Sequence, residues 1–338
     1  MKTIAIKFFN VTGMRWGIPF VKLFSGESVI EQLAVIGRNI FIPIAAIIVF
    51  LYAWSWGASQ ITTSLGQVPG PAMVLEQFQV LWQSHLVERE KAAVFYARQE
   101  ARNIENLRKN PNAKITTIKY TGKPTYIDQI FTSLKTVFMG FVIASLIALP
   151  IGVMCGLSKT VMKAFNPLIQ VFKPVSPLAW LPIVTMIVSA VYVSNNPVFP
   201  KSFIISAITV SLCSLWATLI NTALGVASVS TDYLNVAKVL QLSPFKKIVK
   251  VLLPATLPLI FTGLRISLSV GWMVLIASEM LAQNPGLGKF IWDEFQNGSS
   301  QSLARIIVAV LTIGVTGFVL DRIMVELQKI VSFDKASV

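Results

Sequence analysis

The chain is short of acid, histidine, cysteine and charge in general. Asp and Glu number 15 against 29 Lys and Arg in 338 residues, with one histidine and two cysteines. A lone histidine, His85, argues against a histidine-based metal site or catalytic triad, and no catalytic or metal-ligating residue is expected. Cys155 and Cys213 both lie inside apolar runs, so no disulfide framework is expected and both read as small buried apolar residues. Charged residues make up only 13% of the chain and hydrophobic residues 54%. With a mean hydropathy of +0.68, this excludes an ordinary soluble domain. The net charge of +14 invites a nucleic-acid reading, but the lysines and arginines flank apolar runs instead of gathering on one patch. That distribution suits membrane lipid as the surroundings and no nucleic-acid partner. A phosphate-binding loop is also missing: GLGKF at Gly286 and TGKPT at Thr121 lack the loop glycine and the hydroxyl after the lysine.

Apolar runs long enough to cross a bilayer are plentiful. About 20 mostly apolar residues make a span. Six candidates are read: 39–56, 136–157, one within 165–193, 202–226, one from near Pro254 to about Ala282, and 303–320. The third is expected to break at Pro174, Pro177 and Pro182. The first 38 residues do not resemble a cleavable signal, because Lys7 interrupts the apolar stretch and no small-residue cleavage site follows. Placing this basic tail (1–38) in the cytoplasm puts Lys159 and Lys163, the loop 231–250 and the tail 321–338 on the same side.

The segment 57–135 is then extracytoplasmic. It is basic, and loops of this length escape the charge rule. Its sequence from Leu86 to Asn110 has no Gly or Pro and reads as a surface helix stopped at Asn110-Pro111, within a solvated helical hairpin. Glu88 with Lys91, and Glu105 with Arg108 or Lys109, are spaced to pair along it. A second reading makes the segment a contact surface for a binding protein.

The loop TDYLNVAKVLQLSPFKKIVKVLLPATLP, Thr231 to Pro258, is the one sizeable basic interruption of the apolar second half, with four lysines against Asp232. Ser230 or Thr231 caps a first helix, and Ser243-Pro244 reads as the cap and first-turn proline of a second. This loop resembles the signature E-A-A-x3-G-x9-I-x-L-P of the permease subunits of bacterial ABC importers. The pattern falls on Asn235, Val236, Ala237, then Gln241, then Val251, Leu253 and Pro254. Ala237, Leu253 and Pro254 agree with it. Asn235, Val236 and Gln241 depart from its acid, second alanine and glycine. TSLKTVFMGFVIASLIALPIGVMCGLSK, FNPLIQVFKPVSPLAWLPI and GLRISLSVGWMVLIASEMLAQNPGLGKFIWDEF resemble the same family in order and spacing.

The resemblance implies an all-α, polytopic membrane helix bundle of the type I importer permease fold, with a core at 136–320. It also implies a bacterial inner-membrane location and no enzymatic activity in this chain. A second, commonly identical permease copy, cytoplasmic ABC ATPase subunits that carry ATP and Mg, and a substrate-binding protein outside are the implied partners. Residues 232–244 (Asp232, Tyr233, Leu234, Asn235, Val236, Ala237, Lys238, Val239, Leu240, Gln241, Leu242, Ser243, Pro244) and Pro254 would form the ATPase-coupling loop. The strings FKPVSPLAWLPI and LNVAKVLQLSPFKKIVKVLLPATLP resemble the nitrate branch. Bicarbonate, cyanate and alkanesulfonates such as taurine are near alternatives, and the 57–135 insertion departs from compact members. A gradient-driven carrier would need midplane carboxylates for ion coupling. A membrane enzyme would need clustered catalytic groups.

Ionisable residues inside spans are candidate pathway residues. Lys173, Arg265 and Glu279 qualify, with Trp180 seven residues after Lys173 and on its face if the helix is regular. On one helix Arg265 and Glu279 lie roughly 40° apart and about 21 Å along the axis. Arg265 either offers a cationic site to an anion or pairs with a neighbouring helix. Glu279 is read as a gate or salt bridge near the outer mouth, or as an interface residue. Trp180 either lines the path or packs.

Overall fold

The computed structural model describes residues 18–25, 28–63, 66–110, 115, 117–193 and 197–331. Among these the regular secondary structure is helical apart from a short hairpin, Thr62–Thr63 against Gly66–Gln67. The polytopic all-α expectation holds, with five helices long and apolar enough to span a bilayer and up to six if one bent pair counts as a span.

The chain divides into two units, one up to Leu75 and one from Glu76. The first holds α1 (Ile18–Phe24), α2 (Val29–Ile36), a π-helical turn (Gly37–Phe41) and α3 (Ile42–Gln60). The expected N-terminal tail lies outside the described residues as far as residue 17. From Ile30 to Gln60 the helix is continuous, and only 6% of its most apolar stretch is buried. A helix apolar on all sides suits lipid as its surroundings.

Next, α4 runs from Pro71 to Lys109 without a break, and from Glu76 on it belongs to the second unit. The expected helical hairpin is not what forms here: one helix covers both parts, and residues 117–125, which are not helical, make a strap against it. Gln99 bonds both the N–H and the C=O of Ile118, at 3.2 and 3.1 Å, and the Tyr120 N–H donates to the Tyr96 hydroxyl at 3.1 Å. The Tyr120 hydroxyl donates to Glu88 Oε1 at 2.7 Å, and this bond holds the Glu88 carboxyl below the ordinary glutamate range. Lys91 pairs with Glu88, and Lys109 pairs with Glu105 at 2.6 Å. The strap ends at Thr125, which meets His85 Nδ1 at 2.7 Å, while Arg89 pairs with Asp128.

Thr125 and Asp128 form a capping box that starts α5 (Tyr126–Leu157), well before the expected start at 136. The helix runs on through Pro150. Its small residues recur every fourth position: Gly140, Ala144, Ala148, Gly152 and Gly156. This stripe lets α5 lie against α8 (Lys201–Ala227) at backbone distance. A Cβ on Gly156 would stand 2.6 Å from the Ala223 carbonyl oxygen, and one on Gly140 2.8 Å from that of Ala207. The most apolar stretch of α8 is 61% buried, against 17–44% for the other spans of this unit, so α8 is the central helix. On α8 also packs α11 (Leu253–Ala282), where Ser267 Oγ meets Thr218 Oγ1 at 2.7 Å and donates to the Ser214 carbonyl.

The third expected span is two helices, α6 (Lys159–Phe172) and α7 (Pro177–Val191), bent 101° across residues 173–176. Of the three expected proline breaks, only the Pro174–Pro177 stretch interrupts the helix. Pro182 sits inside α7, where the neighbouring turns carry it. After α8 come α9 (Thr231–Val239), α10 (Pro244–Lys247) and a π-helical turn (Ile248–Leu252) leading directly into α11. Then follow α12 (Leu287–Asn297) and α13 (Ser300–Val331). The last helix overruns the expected end at 320, so residues 321–331 of the expected tail are helical.

Candidate functional site: the basic loop and the intramembrane polar groups

The basic loop is locally determined. Ser230 Oγ accepts from the Asp232 N–H at 3.2 Å and starts α9, with Asp232 in the first turn where the helix dipole favours it. The helix ends in a paired cap: the Gln241 N–H donates to the Lys238 carbonyl at 2.9 Å and the Leu242 N–H to that of Ala237 at 3.1 Å. This places Gln241 at φ 49°, in the left-handed region. Ala237 is buried. Ser243 Oγ accepts from the Lys246 N–H, and Pro244 opens α10.

The opposite face of the loop is apolar and bare. Tyr233, Val236 and Leu240 are exposed at helical spacing, and Val239 and Phe245 are 81% and 75% exposed. Lys238, Lys246, Lys247 and Lys250 lie in the same stretch of sequence. Asn235 and Leu242, with Leu234, complete the turn-by-turn frame, and Pro254 sits at the start of α11, past the π turn.

Arg265 faces α13. Its Nε and Nη2 bond Asp321 Oδ1 at 3.1 and 2.9 Å, and Nη2 also reaches Oδ2 at 3.2 Å. Both side chains are about one-third exposed. The guanidinium is therefore committed to a carboxylate on the neighbouring helix, which is the pairing alternative and not a free cationic site.

Glu279, on the same helix, is fully buried and has no cation beside it among the described residues. The salt-bridge expectation is corrected: its partners are hydrogen-bond donors. Ser133 Oγ approaches both carboxylate oxygens at 2.8 and 2.9 Å, the Gly288 N–H donates at 3.0 Å, and Asn284 Nδ2 lies at 3.5 Å. The Leu287 N–H donates to Ser133 Oγ at 2.9 Å, and Asn284 Nδ2 also donates to Thr136. Ser133 and Glu279 together satisfy the first amides of α12, which no residue of that helix can do. A Cβ on Gly286 would fall 2.1 Å from Glu279 Oε1, so the GLGKF string already holds a carboxylate where a phosphate loop would hold phosphate.

Lys173 ends α6 and is exposed. Trp180 lies on α7 beyond the elbow, 5.7 Å from the Phe172 ring. The shared-face argument for Lys173 and Trp180 fails, because residues 173–176 are not a continuous helix.

Residues 148–331, more than half the chain, match the family described as "Binding-protein-dependent transport system inner membrane component". The chain belongs to this family. It is 36% identical over 204 residues to a nitrate import permease of Synechococcus elongatus, covering 60% of this chain and 69% of that one. It is 38% identical over 202 residues to a bicarbonate transport permease of the same organism, covering 60% and 68%. A putative ABC transporter permease of Methanocaldococcus jannaschii is 33% identical over 202 residues, covering 60% and 70%. The fold resembles a solved chain of the MetNI methionine ABC transporter in an inward-facing conformation, with TM-score 0.53 and 12% identity over 61% of this chain and 95% of that one.

The chain is thus an inner-membrane permease subunit of the ABC importer class. In this permease Asp321, Ser133 and Asn284 hold the intramembrane charges, and sequence reasoning missed all three. Asp321 was legible as an acid at a span boundary. Ser133 carries no local signal, since Glu279 lies 146 residues away; Asn284 lies only five residues from Glu279, but its shorter bond, to Thr136, spans 148 residues.

Proposed function

We propose that this permease forms one half of the pathway of an ATP-driven importer for a small inorganic anion, nitrate first. The observation that carries the coupling part is the bare apolar face of α9 and α10 within a basic loop. Exposed Val239, Leu240 and Phe245 in water have no reason to persist unless a partner covers them. A cytoplasmic ATPase subunit, holding ATP and Mg, is that partner. The loop is fixed by its own caps, so it presents a preformed surface and loses little entropy on docking. A second copy of the chain and an extracytoplasmic binding protein complete the assembly.

Nitrate is favoured by the relatives with nitrate in their names and by the FKPVSPLAWLPI string. Bicarbonate is the second reading, supported by permeases at equal or higher identity. Lys173 and Trp180 remain candidates for the path. Arg265 and Glu279 take structural roles in this reading, because each is occupied by protein groups.

The experiment is anion-stimulated ATP hydrolysis in proteoliposomes holding the permease, its neighbouring ATPase and its binding protein. Stimulation by nitrate and not by bicarbonate or taurine is expected. Stimulation by bicarbonate alone selects the second reading. Gradient-driven uptake with no bound ATPase overturns the proposal.

A further inference from the structure

Three tryptophans reach into the bundle, and only one has its N–H paired. Trp272 Nε1 donates to the Ile313 carbonyl on α13 at 3.0 Å. The indole nitrogens of Trp180 and Trp216 are buried and donate to nothing among the described residues. Several buried serine and threonine hydroxyls are also unpaired, but an O–H rotates to find an acceptor on its own helix. An indole N–H is fixed in the ring plane and can only donate. An orphaned buried donor of that kind is rare and calls for an acceptor from outside.

Both orphaned donors belong to one aromatic group. Phe172 lies 5.7 Å from Trp180, tilted 35°, and 6.3 Å from Trp216, nearly parallel at 10°. The three rings come from α6, α7 and α8 and meet at the 101° elbow. Lys173, the residue after Phe172, adds a positive charge there.

We propose that Phe172, Trp180 and Trp216 form a recognition site for a small planar oxyanion, whose oxygens accept the two indole N–H groups. This deepens the anion-import reading and rests on it. The chemistry is selective in sign. A cation has no lone pair to offer the indoles and meets Lys173 unfavourably. An oxyanion accepts from the fixed N–H donors at the positive edges of the indole rings. Both N–H groups are sealed in this conformation, so the site fills when the α6–α7 elbow opens. That movement carries Trp180 with α7 and leaves Trp216 on α8.

The test measures nitrate taken up per ATP hydrolysed in proteoliposomes of the full complex with its binding protein. Trp180→Phe and Trp216→Phe keep an aromatic ring and remove the N–H. Each is expected to lower that ratio roughly tenfold, as for a lost hydrogen bond to a charged group. Benzothienylalanine at either position keeps the bicycle, lacks the N–H and gives the same drop, which separates the donor from packing. Trp272→Phe lowers the melting temperature and leaves the ratio intact. Wild-type ratios in both tryptophan variants overturn the site and leave the importer reading standing. A wild-type complex that moves neither nitrate nor bicarbonate overturns both.

Discussion

Gln241 is the residue where the loop departs from its family pattern at a cost. The cap after α9 needs a residue at positive φ, and Gln241 supplies it at φ 49°. A side chain in that region costs about 1–2 kcal/mol, which glycine avoids. Glycine also frees the unfolded chain, which returns roughly 0.4–1 kcal/mol of the gain. The net for Gln241→Gly is a local stabilisation of about 0.5–1 kcal/mol, or roughly a two- to fivefold smaller opening constant. Hydrogen exchange reads this directly at the Gln241 and Leu242 amides, which close the cap on Lys238 and Ala237. Both amides are expected to exchange two- to fivefold more slowly in Gln241→Gly. Gln241→Ala, which keeps a Cβ, is expected to stay near the native rate. Equal or faster exchange in the glycine variant would refute the strain argument, and with it the claim that the loop holds its shape against an unfavourable backbone.

Other outcomes follow from the polar contacts. Gly286→Ala drives a methyl into the Glu279 carboxylate and is expected to destabilise the detergent-solubilised permease by about 1–3 kcal/mol or more. Unchanged thermal unfolding would mean that α12 is not held at Glu279. Asp321→Ala strands the Arg265 guanidinium and is expected to cost about 1–2 kcal/mol after allowance for its partial exposure. Adding Arg265→Met should recover most of that loss, and a double variant no more stable than Asp321→Ala would count against a direct pair. Glu88 has a lowered folded pKa, so its contribution is complete above the ordinary glutamate range and is lost as pH falls through the lowered value. Tyr120→Phe removes the largest cause of that lowering, so acid-driven opening at this contact, followed by exchange at the residue-120 amide, should depend less on pH than in the wild type.

Elements fixed by neighbours in sequence were readable, and those fixed by distant partners were not. The Ser230 and Ser243 caps lie within three residues of the amides they satisfy, so their residue types announce them. The span cores at 202–226 and 254–282 show in hydropathy alone. The unbroken α4 was hidden, because Ser84-His85 has poor helix propensity. Ser84 Oγ bonds back to Val80 at 2.8 Å and His85 meets Thr125 forty residues on, so the turn persists. The reach of α5 back to Tyr126 depends on its capping box, which sits among charged residues that a hydropathy window passes over. The Glu279 site assembles from α5, α11 and α12, and only Glu279 itself stood out as a charge within a span.

From Pro244 to Ala282 the chain is helical without a gap, through α10, the π turn and α11. At 1.5 Å per residue such a rod is roughly 58 Å long, well over a bilayer's hydrocarbon thickness. One end lies in the basic loop and the other carries Glu279, which grips α12. The rod's hydrogen-bond ladder changes register at the π turn and loses a donor at Pro258, so those are the two places where this member can bend. The basic loop and the Glu279 site thus belong to one continuous structural member.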